Sequence, residues 1–581
     1  MVLGDNATTE QIDEFHEKYD LDKPLLIQYG KYMWNIVTKG DFGISYRSGR
    51  SVTAEIVERF PKTFILALSM TIIATVVGCF LGIWAALHRG KWQDNLAQCF
   101  SVLGVSIPEF WLGLLLILAF AVKLQWFPVS GFYGPKYIVL PATTLGIICS
   151  CSTMRITRSS MLDYLDQDFV RTARAKGQRE RVITWNHVLR NALIPIVTNM
   201  GNIFATNLGG AMVCETVFAI PGLGKLMYDA IGARDYPQIR GAVILLTVAV
   251  CIVNLLVDLA YAGIDPRVKE NFKNGSARKK KLKSWKEAIS MKKEINMNAV
   301  KKKSLFQEAM GRFFRIKTAV FGMVFIIMIV AVCLLAGLIC PEGYDAQNIG
   351  SRFLSPGTGG ILGTDDLGRS MLSRVLYGGR ISLLVAFGST SLSLIFGTIL
   401  GAIAGFYQGR VDDVIMRILD VFSAIPSLLL AMVISATLGT GLVNTMIAVA
   451  VPAMPSVARM VRGPILTVKD QEYVEAARAI DARDSRIIFK HILPNVLSPL
   501  IIKTTMSLAQ ALLFTASLSF LGLGVQPPMP EWGALISTGR KYILSYPYLV
   551  TVPGCFIAVT VLSINLIGDG LRDALDPRMK N

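Results

Sequence analysis

Charged residues are scarce in this chain: Asp, Glu, Lys and Arg make up 17% of its 581 residues, against about 25% in an average soluble domain. A water-soluble protein of this length needs a larger charged surface, so a soluble globule is excluded. A G-x-x-x-x-G-K-[ST] phosphate loop is missing. Gly222-Leu-Gly-Lys225 is followed by Leu226 where a hydroxyl would hold Mg²⁺, and it reads as a turn after a span. No C-x-x-C pair occurs among the nine cysteines. Cys149 and Cys151 diverge on a helix, while Cys79, Cys251 and Cys333 sit in apolar runs as small hydrophobes. His16, His88, His187 and His491 form no ligand cluster in sequence. No Ser-His-Asp or Cys-His arrangement falls on one side of a membrane. The chain thus reads as no enzyme, with no catalytic residue, metal or cofactor of its own.

Apolar residues, by contrast, make up 52% of the chain, and the mean hydropathy is +0.48. They are clumped into windows at roughly 62–87, 97–122, 137–153, 194–218 and 240–263, then 318–340, 381–405, 415–438, 442–457, 496–520 and 547–568. Most are long enough to cross a hydrocarbon core of roughly 30 Å. Lipid offers no partner to a free backbone amide, so each window is read as a helix. The expected fold is an all-α integral membrane protein with about eleven spans, five plus six.

The net charge of +18 has no basic-aromatic module beside it, so nucleic acid is not an expected partner. Lys and Arg collect between the windows, as the positive-inside rule requires. The richest block, 267–317, contains Arg278-Lys-Lys-Lys281 and Lys301-Lys-Lys303. With that block cytoplasmic, alternation puts the basic segments 88–95, 154–193 and 458–495 inside, together with the C-terminus. The segments 219–237, 341–378 and 1–61 fall outside. Four units follow: an extracytoplasmic segment 1–61, a first half 62–266, a basic cytoplasmic linker 267–317 and a second half 318–581. Asp258, Asp420 and Asp569 lie near span ends and read as helix braces.

The halves repeat. Asp168-Phe-Val-Arg-Thr-Ala-Arg-Ala-Lys-Gly177, His187 and Pro195 match Glu472-Tyr-Val-Glu-Ala-Ala-Arg-Ala-Ile-Asp481, His491 and Pro499, in constant register. Arg155-Ile-Thr-Arg158 matches Arg459-Met-Val-Arg462 in the same register. Each half closes alike, with Ile264-Asp-Pro-Arg267 and Leu575-Asp-Pro-Arg578. Six spans separate the two loops, so both face one side. These are parallel-repeat bundles, with a pseudo-two-fold axis along the membrane normal and a pathway between the halves.

Each repeated loop is polar yet helix-forming. Ala and Arg favour a helix from Asp168 to Lys176, and Gly177 supplies the left-handed residue that ends it. A second stretch, Arg179 to Arg190, puts Val182, Trp185, Val188 and Leu189 near one face at helical spacing. An apolar edge standing out from the membrane asks for a partner, and a matched pair asks for two.

The second loop, with Glu475-Ala-Ala477, Asp481 and Ile492-Leu-Pro494, resembles the EAA loop of ABC importer permeases. Gly40-Asp-Phe-Gly-Ile-Ser45, Arg171-Thr-Ala-Arg-Ala-Lys-Gly177 and Glu215-Thr-Val-Phe218 resemble the B-type permease of dipeptide, oligopeptide and nickel importers. Leu362-Gly-Thr-Asp-Asp-Leu-Gly-Arg369, Tyr377-Gly-Gly-Arg-Ile-Ser382 and Phe520-Leu-Gly-Leu-Gly-Val-Gln-Pro-Pro528 resemble its C-type partner. The likeness spans nearly the whole chain and implies two subunits fused through the basic linker.

The resemblance implies that Asp168, Arg171, Ala173, Gly177 and His187 form one ATPase-coupling loop. Glu472, Glu475, Ala476, Ala477, Asp481 and His491 form the other. It further implies two cytoplasmic ATPase subunits carrying ATP and Mg, an extracellular substrate-binding protein, and a multi-pass place in the lipid of a bacterial plasma (inner) membrane. Peptides are the first substrate expectation, with nickel and glutathione-like solutes behind. Asp481 departs from the Gly of family loops. B-type permeases also begin with a span that 1–61 lacks, and the expectation is a truncated or misassigned start, or a decayed, non-functional fusion. The rival readings are an ion-gradient-driven secondary transporter and a non-transporting scaffold. Against the first, no ion site stands out near the bilayer midplane. Against the second, a scaffold needs no matched loops.

Overall fold

The computed structural model describes residues 8–18, 21–264 and 305–575. Most of the 267–317 linker and the last six residues of the C-terminus lie outside the described residues. Most of the described residues are helical, and no strand occurs among them beyond two isolated bridges, Ile44–Ser51 and Thr364–Ser370. These bridges are themselves a repeat, each closing a hairpin just ahead of the longest helix of its half, Val52–Leu87 and Met371–Tyr407.

Eight helices are long and apolar enough to cross a membrane, and two sharply bent helix pairs bring the number to ten. All eleven expected windows fall on helices. The window 194–218 is the one that fails on apolarity, because Arg190–Gly210 carries Asn191, Asn199, Asn202 and Asn207. Two boundaries are corrected. The window placed at 62–87 begins at Val52, and that placed at 381–405 begins at Met371. In both, the polar first turns stay helical because they pack against the rest of the fold, with Val52 and Val375 fully buried.

The bent pairs are Trp92–Ser106 with Glu109–Lys123, turning through 102°, and Gly409–Ala424 with Ser427–Leu438, turning through 91°. Each elbow is an Ile-Pro step. Proline forces the residue before it out of the helical region, and Ile107 (φ −89°, ψ 126°) and Ile425 (φ −89°, ψ 130°) are extended.

Within each half the longest helix packs along a second long helix, Pro135–Leu165 or Leu442–Val468. The seam is built on small residues: Gly78 and Gly82 lie against Thr153 and Thr157, and Gly397 and Gly401 against Val457 and Ala458. Without a hydrophobic drive between helices in lipid, such close backbone approach supplies the dispersion contact. The halves share one core that includes Phe110, Trp111 and Met212 from the first and Leu429, Leu512 and Ile557 from the second. Across their junction Phe110 stacks on Phe520 with centroids 4.6 Å apart, and Asn565 donates to Ser106 Oγ at 3.2 Å. Gly209 approaches the Pro426 elbow so closely that a Cβ there would overlap the ring.

Candidate functional site: two matched loops and a central cavity

Both repeated loops have the same construction. Asp168–Ala175 ends in Gly177 at φ +73°, and Glu472–Ala479 ends in Asp481 at φ +55°. Each end is closed by paired backbone bonds: Gly177 N–H donates to Arg174 O at 2.9 Å and Gln178 N–H to Ala173 O at 3.2 Å. Asp481 N–H donates to Arg478 O at 2.9 Å and Ala482 N–H to Ala477 O at 3.1 Å. This closure satisfies the last carbonyls and needs a left-handed residue, which glycine adopts freely and aspartate at some cost.

A short second helix then runs through a π turn, Ile183–Leu189 or Ile487–Ile492, into the next span. The π turn corrects the face expected from helical spacing. Its wider turn brings Ile183 and Val188, five residues apart, inward together, both fully buried. Val182 and Trp185, expected on the outward apolar edge, do point outward at 39% and 58% exposure, but Val188, expected on the same face, is turned inward. Ile487 and Ile492 repeat the inward pair, and Phe489 is the outward aromatic at 66%.

Ala173 and Ala477 are buried, with Val170 and Val474, in the small cores that root the loops. Asp168, Arg171, Glu472, Glu475 and Ala476 face solvent. Arg171 lies 3.7 Å from Asp168, and His187 Nε2 pairs with Gln178 Oε1 at 2.9 Å, tying the two helices of the first loop together. His491 is half-buried, and its carbonyl accepts from Asn495 Nδ2 at 2.7 Å. In the first loop Glu180 draws the Arg174 guanidinium into an ion pair at 2.8 Å and raises its pKa. Phe169 and Trp185 are exposed on the first loop, Tyr473 and Phe489 on the second. Each half therefore presents two aromatics at equivalent positions around a polar helix.

Above the loops the elbows frame a cavity of about 590 Å³ between the halves, lined by Glu109, Cys149 and Asn202 of the first half and Ser427 and Phe514 of the second. A second cavity of about 250 Å³ adjoins it, sharing Ser427 and Phe514 and ending on Lys503. Glu109 and Lys503 were not singled out by sequence reasoning, although each is the one charged residue in its apolar window. Asp420, read as a brace, does pair with Arg459, at 3.3 Å. On the opposite side from the loops, Thr63 donates to buried Glu215 at 2.6 Å and Ser382 to buried Glu531 at 2.8 Å. These carboxylates secure the short helices Leu223–Gly232 and Trp532–Gly539, accepting from the backbone N–H of Lys225 and of Ala534.

The model of the binding-protein-dependent transport system inner membrane component matches residues 78–270 and again 397–581. The chain belongs to this family. Further models match at its flanks: the N-terminal domain of this component at 1–67 and the N-terminal transmembrane domain of oligopeptide transport permease C at 304–356. The chain is 43% identical over 278 residues to the dipeptide transport system permease protein DppC of Alkalihalophilus pseudofirmus, covering 48% of this chain and 91% of that one. It is 41% identical over 269 residues to the glutathione transport system permease protein GsiC of Escherichia coli K12, covering 46% and 88%. Among solved structures, a chain of the MetNI methionine ABC transporter aligns over 36% of this chain at 19% identity with a TM-score of 0.31. The family module thus occurs twice in a chain about twice its relatives' length, as two permease subunits joined in one. Its members are transport components of ABC systems rather than enzymes, which removes the gradient-driven and scaffold readings.

Proposed function

We propose that this chain forms the whole membrane pathway of an ATP-driven importer of short peptides, with its two halves in the roles that separate B-type and C-type subunits play elsewhere. The observation that carries the reading is the matched pair of loops, 168–190 and 472–494, each rooted by buried residues and presenting two exposed aromatics. Each loop takes one ATPase subunit, so two sit in the cytoplasm, holding ATP and Mg; the chain itself binds neither. The EAA-like segment Glu475-Ala-Ala477 and its counterpart Arg171-Thr-Ala173 are the seats. When the ATPase subunits close together, the loops move with them, the spans they root follow, and the halves rock about the central cavity. A substrate-binding protein delivers solute to the outer face.

Peptides stand ahead of chelated nickel because the relatives are named for dipeptides, di/tripeptides and glutathione. The chain sits in a bacterial plasma membrane, with the linker 267–317 and the C-terminus cytoplasmic and 1–61 external. The units are 62–266 and 318–581.

The test is reconstitution with ATPase subunits and binding protein. ATP-dependent uptake of dialanine supports the reading. Glu475→Lys and Gly177→Pro are each expected to abolish ATPase copurification. Intact loops that retain no ATPase subunit would overturn the docking and leave a non-functional fusion.

A further inference from the structure

Charge inside a membrane is costly and marks function. Lys503 lies ten residues into Leu493–Phe520, or about 15 Å from its loop end, roughly half the hydrocarbon thickness. Glu109 opens the helix Glu109–Leu116 just past the first elbow, where the helix N-terminus steadies a negative charge. Both are half-buried against the two adjoining cavities. Among the described residues, neither has an ion-pair partner.

The repeat sharpens the point. At the position equivalent to Lys503 the first half has Asn199, which donates to Thr153 Oγ1 at 3.1 Å. At the position equivalent to Glu109 the second half has Ser427, the first residue past its elbow. A symmetric pathway would carry two like charges or none. Here the two halves differ so that one of the two adjoining cavities is lined by a carboxyl group and the other by an amine, with Ser427 and Phe514 common to both.

Resting on the peptide reading above, we propose that Glu109 receives the α-ammonium of a short zwitterionic peptide and Lys503 its α-carboxylate. The two charges select against peptides blocked at either end. Each unpaired charge is desolvated only when an opposite one replaces water, so a solute carrying both charges is favoured over one carrying either alone. Phe514 and the apolar walls take side chains without regard to identity, and chain direction is fixed by the asymmetry of the halves.

The test uses the chain assembled with its ATPase subunits in detergent. The readout is the ligand concentration that half-saturates the rise in thermal-unfolding midpoint. Dialanine, N-acetyl-dialanine and dialanine amide are the probes. In the natural chain each blocked form is expected to need roughly tenfold more than dialanine. Glu109→Gln should lose the preference over the N-acetyl form and keep that over the amide, and Lys503→Gln should do the reverse. Both variants remove a charge from the membrane interior, which lowers the cost of folding there. Glu109→Asp and Lys503→Arg should retain both preferences. If both glutamine variants discriminate like the natural chain, the site assignment is overturned while the peptide reading stands. If dialanine neither shifts the midpoint nor is taken up with ATP, the peptide reading fails and the site with it.

Discussion

Arg158 donates from Nε and Nη2 to the two carboxylate oxygens of Asp94, at 2.6 and 2.7 Å. Arg462 and Asp412 repeat the fork in the second half, at 2.6 and 2.5 Å. Each pair ties the first limb of an elbow to the long helix that leads into a loop. A bidentate fork fixes angle as well as distance, so the elbow and the helix that leads into the loop are held by a rigid joint.

Breaking one fork leaves a charge without its partner. Asp94 is 2% exposed, so Arg158→Met is expected to lower stability by about 3 kcal/mol. The double variant Asp94→Leu/Arg158→Met should recover much of that loss. Thermal unfolding of the four chains in a double-mutant cycle checks it, and additive losses would show that the pair is not coupled.

The outward aromatics should bind partners and not hold the fold. Trp185→Ala and Phe489→Ala are each expected to weaken ATPase association by about 2 kcal/mol, or roughly thirtyfold. The unfolding midpoint of the chain alone should stay put, since the side chains are 58% and 66% exposed. Titrated ATPase binding, set beside unfolding of the isolated chain, measures both.

Gly177 and Asp481 hold the same left-handed conformation with different residues. No atom lies within 4 Å of a Cβ built on Gly177, so Gly177→Ala would test backbone strain alone. It should cost about 1 kcal/mol, and Asp481→Gly should relieve a similar or smaller amount. Hydrogen exchange within the two loops reads the opposite signs.

Outside the spans, buried Asp365 accepts from Arg374 at 2.5 Å, from Arg369 Nε at 2.7 Å and from two backbone N–H groups at 2.9 Å. Burial pushes its carboxyl up, but Arg374, the backbone donors and Arg369 outweigh it and hold the pKa below the ordinary 3.8. A depressed folded value means stabilisation that is complete above the unfolded pKa and lost as pH falls through the folded one. Unfolding midpoints should therefore hold at neutral pH and drop only below about pH 4. Asp365→Asn should remove this group's share of the acid step and lower the midpoint at neutral pH.

Spans, repeat and loop ends were legible in the sequence because the rules behind them are local. Lipid demands helices of a given length, Gly177 marks a helix end whatever surrounds it, and a constant register exposes a duplication. The Ile-Pro elbows left a signal too, in Ile107-Pro108 and Ile425-Pro426, but only the packed fold sets their angle. The face of each π turn was not legible, because Ile183 and Val188 come together through a turn that helical spacing does not describe. Nor was the meeting of Glu109 and Lys503 around one pair of cavities. A charge in an apolar window can be read from the chain, but its opposite across the pathway comes from helices far apart in sequence. Only the packing of the two halves brings them to adjoining cavities.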